Sequence, residues 1–205
     1  DGSAYHQTIT YSGNGSSRSI TNDGNSDLKP DWVWIKERNN AVSHRIFDSS
    51  RGATKRMFSN NDDAESTQST SLTSFNTDGF SLGDGGSVNG GSDTYVAWQW
   101  KANGGTTSSN SDGGNTSTVQ ANTTAGFSIV TYTRDGNSVT TVGHGLGKTP
   151  KVKIEKDRDT SSTNWSFITS ASGSDQYGFL NTTATFNSTT SGFTSTVFRS
   201  AMGAN

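Results

Sequence analysis

The chain has 205 residues, a net charge of −2 and no cysteine, and no apolar run approaches the ~20 residues of a membrane span. That excludes a disulfide framework and a thiolate metal site, and it leaves no basic footprint for nucleic acid. Hydrophobic residues make up 27% and charged residues 17%, while Ser, Thr, Asn and Gly fill about half of the positions, yet 5 Trp, 5 Tyr and 10 Phe sit in short clusters. Such a chain suits thin β-structure with long polar turns, because a strand needs only alternate positions apolar.

In chain order, the first strand signal is Trp32–Lys36, entered through Pro30. Thr54–Phe58 and Asp62–Ser66 have room for one helical turn each, and no longer helix is expected. Thr73–Leu82 alternates around Asp78-Gly79, a tight-turn dipeptide. Tyr95–Trp100 is a second aromatic strand. The stretch 104–121 carries almost no apolar side chain and reads as a flexible linker rich in Gly, Ser, Thr and Asn. Beyond it, Phe127–Tyr132, Val139–Val142, Val152–Ile154 and Thr196–Phe198 read as short strands.

A repeat organises these signals. Pro30 to Arg38 matches Pro150 to Arg158 in the order proline, lysine, acid, arginine, an offset of 120. Ile9-Thr10-Tyr11 before Gly13-Asn14-Gly15 matches Val130-Thr131-Tyr132 before Gly136-Asn137, Phe47 falls opposite Phe167, and Phe58-Ser59-Asn60 matches Phe179-Leu180-Asn181. The expectation is all-β: two tandem β-sandwich units at 1–103 and 122–205 joined by the linker 104–121, the second unit lacking its last strand. The missing counterpart of Tyr95–Trp100, and an opening Asp1-Gly2 without methionine, are read as signs of a longer polypeptide or an interlocked assembly.

No motif points to catalysis. Gly143-His144-Gly145-Leu146-Gly147-Lys148-Thr149 has Val142 where a phosphate loop needs glycine, and a strand rather than a helix follows Pro150. His6, His44 and His144 have no second ligand at metal spacing, and no Gly-x-Ser-x-Gly elbow occurs. Asp78, Asp84 and Asp93 lie in Gly-rich loops whose spacing fits turn residues better than a calcium loop. No catalytic residue, cofactor or metal is therefore expected. The candidate contact residues are Trp32 and Trp34, which share one strand face, and Trp98 and Trp100, which share a face with Val96. Apolar residues on both faces of these strands predict burial in the core or a subunit contact, with glycan stacking as the alternative.

The runs Asp1-Gly2-Ser3-Ala4-Tyr5, Lys29-Pro30-Asp31-Trp32-Val33-Trp34-Ile35-Lys36, Asp48-Ser49-Ser50-Arg51-Gly52-Ala53, Ser74 to Gly83 and Tyr95-Val96-Ala97-Trp98, with Gly143 to Gly147 before Thr149-Pro150, resemble the tandem-repeat, tail-fibre-like appendage proteins of marine bacteriophage virions. A weaker likeness is to the jelly-roll or H-type-lectin sandwich. The resemblance implies a structural, adhesive protein on the virion surface, a homo-oligomer (a trimer in a fibre) meeting other virion subunits and a host-surface polysaccharide. It also implies that the second unit continues into a further aromatic strand. The runner-up is a subunit of a prokaryotic extracellular filament or adhesin. A polysaccharide depolymerase would need paired carboxylates, and the sequence points to no pair.

Overall fold

The computed structural model of the chain describes residues 1–136, 139–171, 175–190 and 192–200. Asn137, one of the repeat anchors, lies outside them, as do residues 201–205. The fold is nearly all β, its strand ladders are antiparallel, and it divides into two compact units: Asp1–Ser59 with Glu65–Gly105, and Asn60–Ala64 with Thr106–Asn205.

The first unit contains β1 (His6–Ser12), β2 (Arg18–Ile20), β3 (Trp32–Glu37), β4 (Arg45–Asp48), β5 (Lys55–Arg56), β6 (Ser66–Thr67), β7 (Leu72–Phe75), β8 (Phe80–Leu82) and β9 (Thr94–Trp100). A 3-10 turn at Gly2–Ala4 and a single helical turn, α1 (Gly86–Asn89), are its helical pieces. One sheet runs β1-β9-β3-β4 and a second runs β2-β8-β7. Their inner faces meet in one core made by Tyr11, Val33, Ile35, Phe47, Tyr95 and Ala97 from the first sheet and Ile20, Leu72, Phe80 and Leu82 from the second. The strict alternation of buried and half-buried residues along β3 and β9 is the period-two pattern that such packing requires.

The turn at Asp78-Gly79 forms as the sequence predicts. Asn76 N–H donates to the Gly79 carbonyl at 2.9 Å, Gly79 sits at φ +95°, and the Asp78 carboxylate accepts from Leu28 N–H at 3.1 Å. The helical turns expected at Thr54–Phe58 and Asp62–Ser66 do not form. Lys55 and Arg56 instead pair with Thr67 and Ser66, and Met57 bridges to Ile46. The reason lies in the preceding run from Asp48 to Ala53. The Arg51 side chain, almost fully buried, is held by Asp48 on one side and Glu65 on the other, so the segment between these acids is closed as a loop that begins in turns.

The second unit contains β10 (Ser108–Asn110), β11 (Ser117–Asn122), β12 (Phe127–Tyr132), β13 (Thr140–Gly143), β14 (Val152–Glu155), β15 (Ser166–Thr169), β16 (Gln176–Phe179), β17 (Asn187–Ser188) and β18 (Val197–Ser200). They form the sheets β10-β11-β12, β14-β15-β16-β17 and β13-β18. The flexible linker expected at 104–121 is thus corrected. β10 and most of β11 fall inside it, β11 pairs with β12 over six residues, and Ser117, Val119 and Gln120 are buried. Ser and Thr read as linker residues by composition, but their short polar side chains fit a pleated ladder once a neighbouring strand is present.

Pairings recur between the units. Ile20 pairs with Phe80, and Val142 pairs with Phe198. Tyr11 meets Phe80 edge-on at 6.3 Å, and Tyr132 meets Phe198 edge-on at 6.3 Å. Ile46 pairs with Met57, and Phe167 pairs with Gly178, both shifted by 121. That last register corrects one anchor of the repeat. Val33 pairs with Phe47 while Lys153 pairs with Ile168, so Phe47 corresponds to Ile168 and not to Phe167. A slip of one residue moves a side chain to the other face, and Phe167 stands opposite Ile154 rather than Lys153.

Candidate functional site

Four of the five tryptophans lie on the outer face of the β1-β9-β3-β4 sheet. Strand register puts His6, Trp100 and Trp32 in one row across β1, β9 and β3, and Thr8, Trp98 and Trp34 in the next. All four indoles are half-buried, while the residues between them (Val33, Ile35, Ala97 and Gln99) are sealed in the core. The inner side of these strands is thus buried in the core, while the tryptophans, expected in the core or a subunit contact, lie outside the core and half-exposed in the single chain. The tryptophan that is fully buried is Trp165, which sequence reading did not single out.

The rings contact one another. Trp34 and Trp98 meet edge-on at 6.1 Å, and His6 is tilted over Trp100 at 4.8 Å. His44 sits at 5.9 Å from the Trp34 ring, and Trp34 Nε1–H donates to His44 Nδ1 at 3.2 Å. An acceptor nitrogen requires the neutral imidazole. Burial, helped by the neighbouring Lys36 and Arg45, holds the His44 pKa below the ordinary histidine value, and burial does the same for His6. Chemically the face offers broad π surfaces with a few polar edges, and no nucleophile is paired with a base on it among the described residues.

A second polar constellation lies in the second unit, and sequence reading missed it. Lys153 Nζ stands 2.5 Å from Glu155 Oε2, and both side chains are more than nine-tenths buried. Lys153 also donates to the Arg199 carbonyl at 3.0 Å and lies over the Phe198 ring at 5.1 Å. Ser200 Oγ donates to Glu155 Oε1 at 2.6 Å, and the Tyr132 hydroxyl donates to the same oxygen. Burial and then the Glu155 charge push the Tyr132 phenol far above its ordinary value, so it stays protonated. Every charge here has a partner, and a phenol locked as a donor to a carboxylate cannot serve as a base. The repeat offset held the signal: Lys153, Glu155 and Ser200 occupy the places of Val33, Ile35 and Leu82 in the core of the first unit.

The remaining motifs resolve into turns. Gly145 and Gly147 take φ +71° and +66°, and Leu146 N–H donates to His144 Nδ1 at 3.2 Å. Asp93 accepts from the side chains of Asn39 and Asn40. Among the described residues no group of three or more His, Cys, Asp or Glu is placed to hold a metal ion, and no helix is long and apolar enough to cross a membrane.

One family model, described as a domain of unknown function (DUF7483), matches residues 1–204, both units together. The chain belongs to the DUF7483 family. No curated protein and no solved structure matches it. Since the match spans both units, the aromatic face and the buried Lys153–Glu155 pair lie within a single DUF7483 domain.

Proposed function

We propose that this DUF7483 domain is a structural and adhesive module of a virion surface appendage, a phage tail fibre or its equivalent, and not an enzyme. The outer face of its first unit would hold a host-surface glycan. The observation carrying this reading is the pair of register rows that sets Trp32, Trp34, Trp98 and Trp100 side by side, half-exposed, on a sheet whose other face is locked into a core. A pyranose ring presents patches of C–H bonds that stack on indole faces, and the neighbouring His6, Thr8 and Thr10, all exposed, supply polar edges for its hydroxyls. The all-β architecture supports two sandwich-like units as the repeated element of such an appendage. The resemblance of the sequence to marine phage appendage proteins supports the virion setting, with a trimeric homo-oligomer and other virion subunits as partners.

The test is a titration of the protein with host-surface polysaccharides, followed by intrinsic tryptophan fluorescence. Saturable quenching that is lost in Trp98→Ala and retained in a substitution on another sheet, such as Ser19→Ala, supports the reading. Quenching that survives Trp98→Ala and Trp34→Ala together sinks it. The same half-exposed face is also suited to burial against a second subunit, as in an extracellular filament. Light scattering that gives a stable oligomer, with those four indoles becoming inaccessible to a soluble quencher, would favour that second reading.

A further inference from the structure

In the first unit β9 lies between β1 and β3 and hydrogen-bonds to both along their length. Its inward residues Tyr95, Ala97 and Gln99 are each in register with a residue on either side: Tyr11 and Glu37, Ile9 and Ile35, Gln7 and Val33. Tyr95 stacks flat on Tyr11 at 5.1 Å.

In the second unit β12 occupies the place of β1 and β14 the place of β3. The recurrent pairs anchor this correspondence: Tyr11 and Phe80 with Tyr132 and Phe198, and Ile46 and Met57 with Phe167 and Gly178. Among the described residues, however, β12 is hydrogen-bonded to β11 alone and β14 to β15 alone. Each therefore has one edge with no strand partner among the described residues, and the two strands correspond to those that β9 unites in the first unit. Between the two strands the Tyr132 hydroxyl donates to Glu155, in the region where the first unit has β9 inserted. A row of unpaired N–H and C=O groups is a template for another strand.

We propose that β12 and β14 form a slot that accepts one extended strand from another polypeptide segment, antiparallel to both. The strand would join β10-β11-β12 and β14-β15-β16-β17 into a single eight-stranded sheet. The occupant is of the β9 type: an aromatic residue, a small residue and a glutamine at successive inward positions, with bulky residues outward. The polar side chains of the slot specify the glutamine. Its row carries Val33 and Gln7 in the first unit and Lys153 and Ser128 in the second, so an inward carboxamide meets the Lys153 ammonium instead of a valine. The small residue follows Ala97, whose row carries Ile35 and Ile9 in the first unit and Glu155 and Val130 in the second. This inference concerns the second unit and does not rest on the ligand proposed for the aromatic face.

The test uses the whole 205-residue chain and a fluorescein-labelled synthetic peptide with the sequence of residues 93–101 (Asp-Thr-Tyr-Val-Ala-Trp-Gln-Trp-Lys). Anisotropy should give saturable binding, and amide hydrogen exchange should slow together at 128–132 and at 152–155. A peptide N-methylated at the amides that would pair should bind more than about tenfold more weakly, because several backbone hydrogen bonds are removed without changing the protein. A peptide carrying Ala97→Trp should also fail to bind. The proposal is overturned by absence of saturable binding, by protection of one edge alone, by protection confined to the first unit, or by equal affinity of the N-methylated peptide.

Discussion

Trp34 donates its indole hydrogen to Nδ1 of His44 across 3.2 Å, so the aromatic face depends on a neutral imidazole. In the second unit His144 is bound in the same sense. It accepts from Leu146 N–H at Nδ1, and its other nitrogen meets the Thr194 carbonyl at 3.3 Å. Two histidines in separate units are thus held as acceptors.

A pH dependence follows. Burial lowers the pKa of His44 and of His144 in the folded chain, with the Lys36 and Arg45 charges adding to the effect at His44. A depressed folded-state pKa means that the unfolded chain binds more protons below the ordinary histidine value of about 6.5. The stabilisation is fully present above that pH and is lost as pH falls through the folded-state values. Thermal midpoints should therefore drop between pH 7 and pH 5. His44→Phe and His144→Phe should each flatten part of that slope. A midpoint that rises on acidification over this range would contradict the assignment.

The Lys153–Glu155 pair should behave asymmetrically under mutation. Glu155→Ala leaves a buried ammonium facing the Arg199 carbonyl alone and should cost about 3–5 kcal/mol in denaturant unfolding. The double substitution Lys153→Val with Glu155→Ile copies the first unit and should lie within about 1 kcal/mol of wild type or above it. If the double variant is no more stable than Glu155→Ala, the pair contributes net stability of its own.

Two glycines with positive φ should separate backbone strain from steric exclusion. A Cβ at Gly79 would meet the Ile20 carbonyl oxygen at 2.0 Å, while at Gly52, φ +107°, it would meet nothing within 4 Å. Gly52→Ala should cost about 1–2 kcal/mol, the left-handed penalty alone. Gly79→Ala should cost well beyond that and displace β2 from β8. Urea unfolding of the two variants side by side measures the difference.

Asp31 joins three segments of the first unit through one side chain. Completely buried, it accepts from Ala102 and Gly104 N–H, each at 2.8 Å, and from Ser49 Oγ at 2.6 Å. Asp31→Ala removes a buried acceptor shared by three donors, the buried Ala102 N–H among them, and should destabilise by about 1–3 kcal/mol. Amide exchange at Ala102 and Gly104 should accelerate in the same variant. Unchanged exchange there would show that Asp31 does not hold these two amides.

Much of the fold is legible in sequence where period-two alternation is strong. Trp32–Lys36, Tyr95–Trp100 and Phe127–Tyr132 come within one residue of β3, β9 and β12 because they are short runs of β-branched and aromatic residues bounded by turn residues. The strands of 104–122 are not legible, since their burial depends on β12 as a neighbour and not on their own hydrophobicity. The anchor Phe47 to Phe167 failed for a related reason: identical residue type does not fix register when a loop changes length by one. Of the two notable sites, the aromatic face follows from composition plus alternation. The Lys153–Glu155 pair was hidden, because a lysine and a glutamate two apart on a strand look like a solvated face until the repeat sets them against Val33 and Ile35.

The pairing of β1 with β9 has a mechanical consequence. His6 at the start of β1 stands opposite Trp100 at the end of β9, and Lys101 N–H donates to the Tyr5 carbonyl just outside them at 2.9 Å. The start of β1 and the end of β9 thus lie at adjacent points on one rim of the first unit's sheet. Tension applied through those points would load the His6–Trp100 pair first and the others in sequence, opening the ladder like a zipper rather than shearing it as a block. Such a geometry yields at low force.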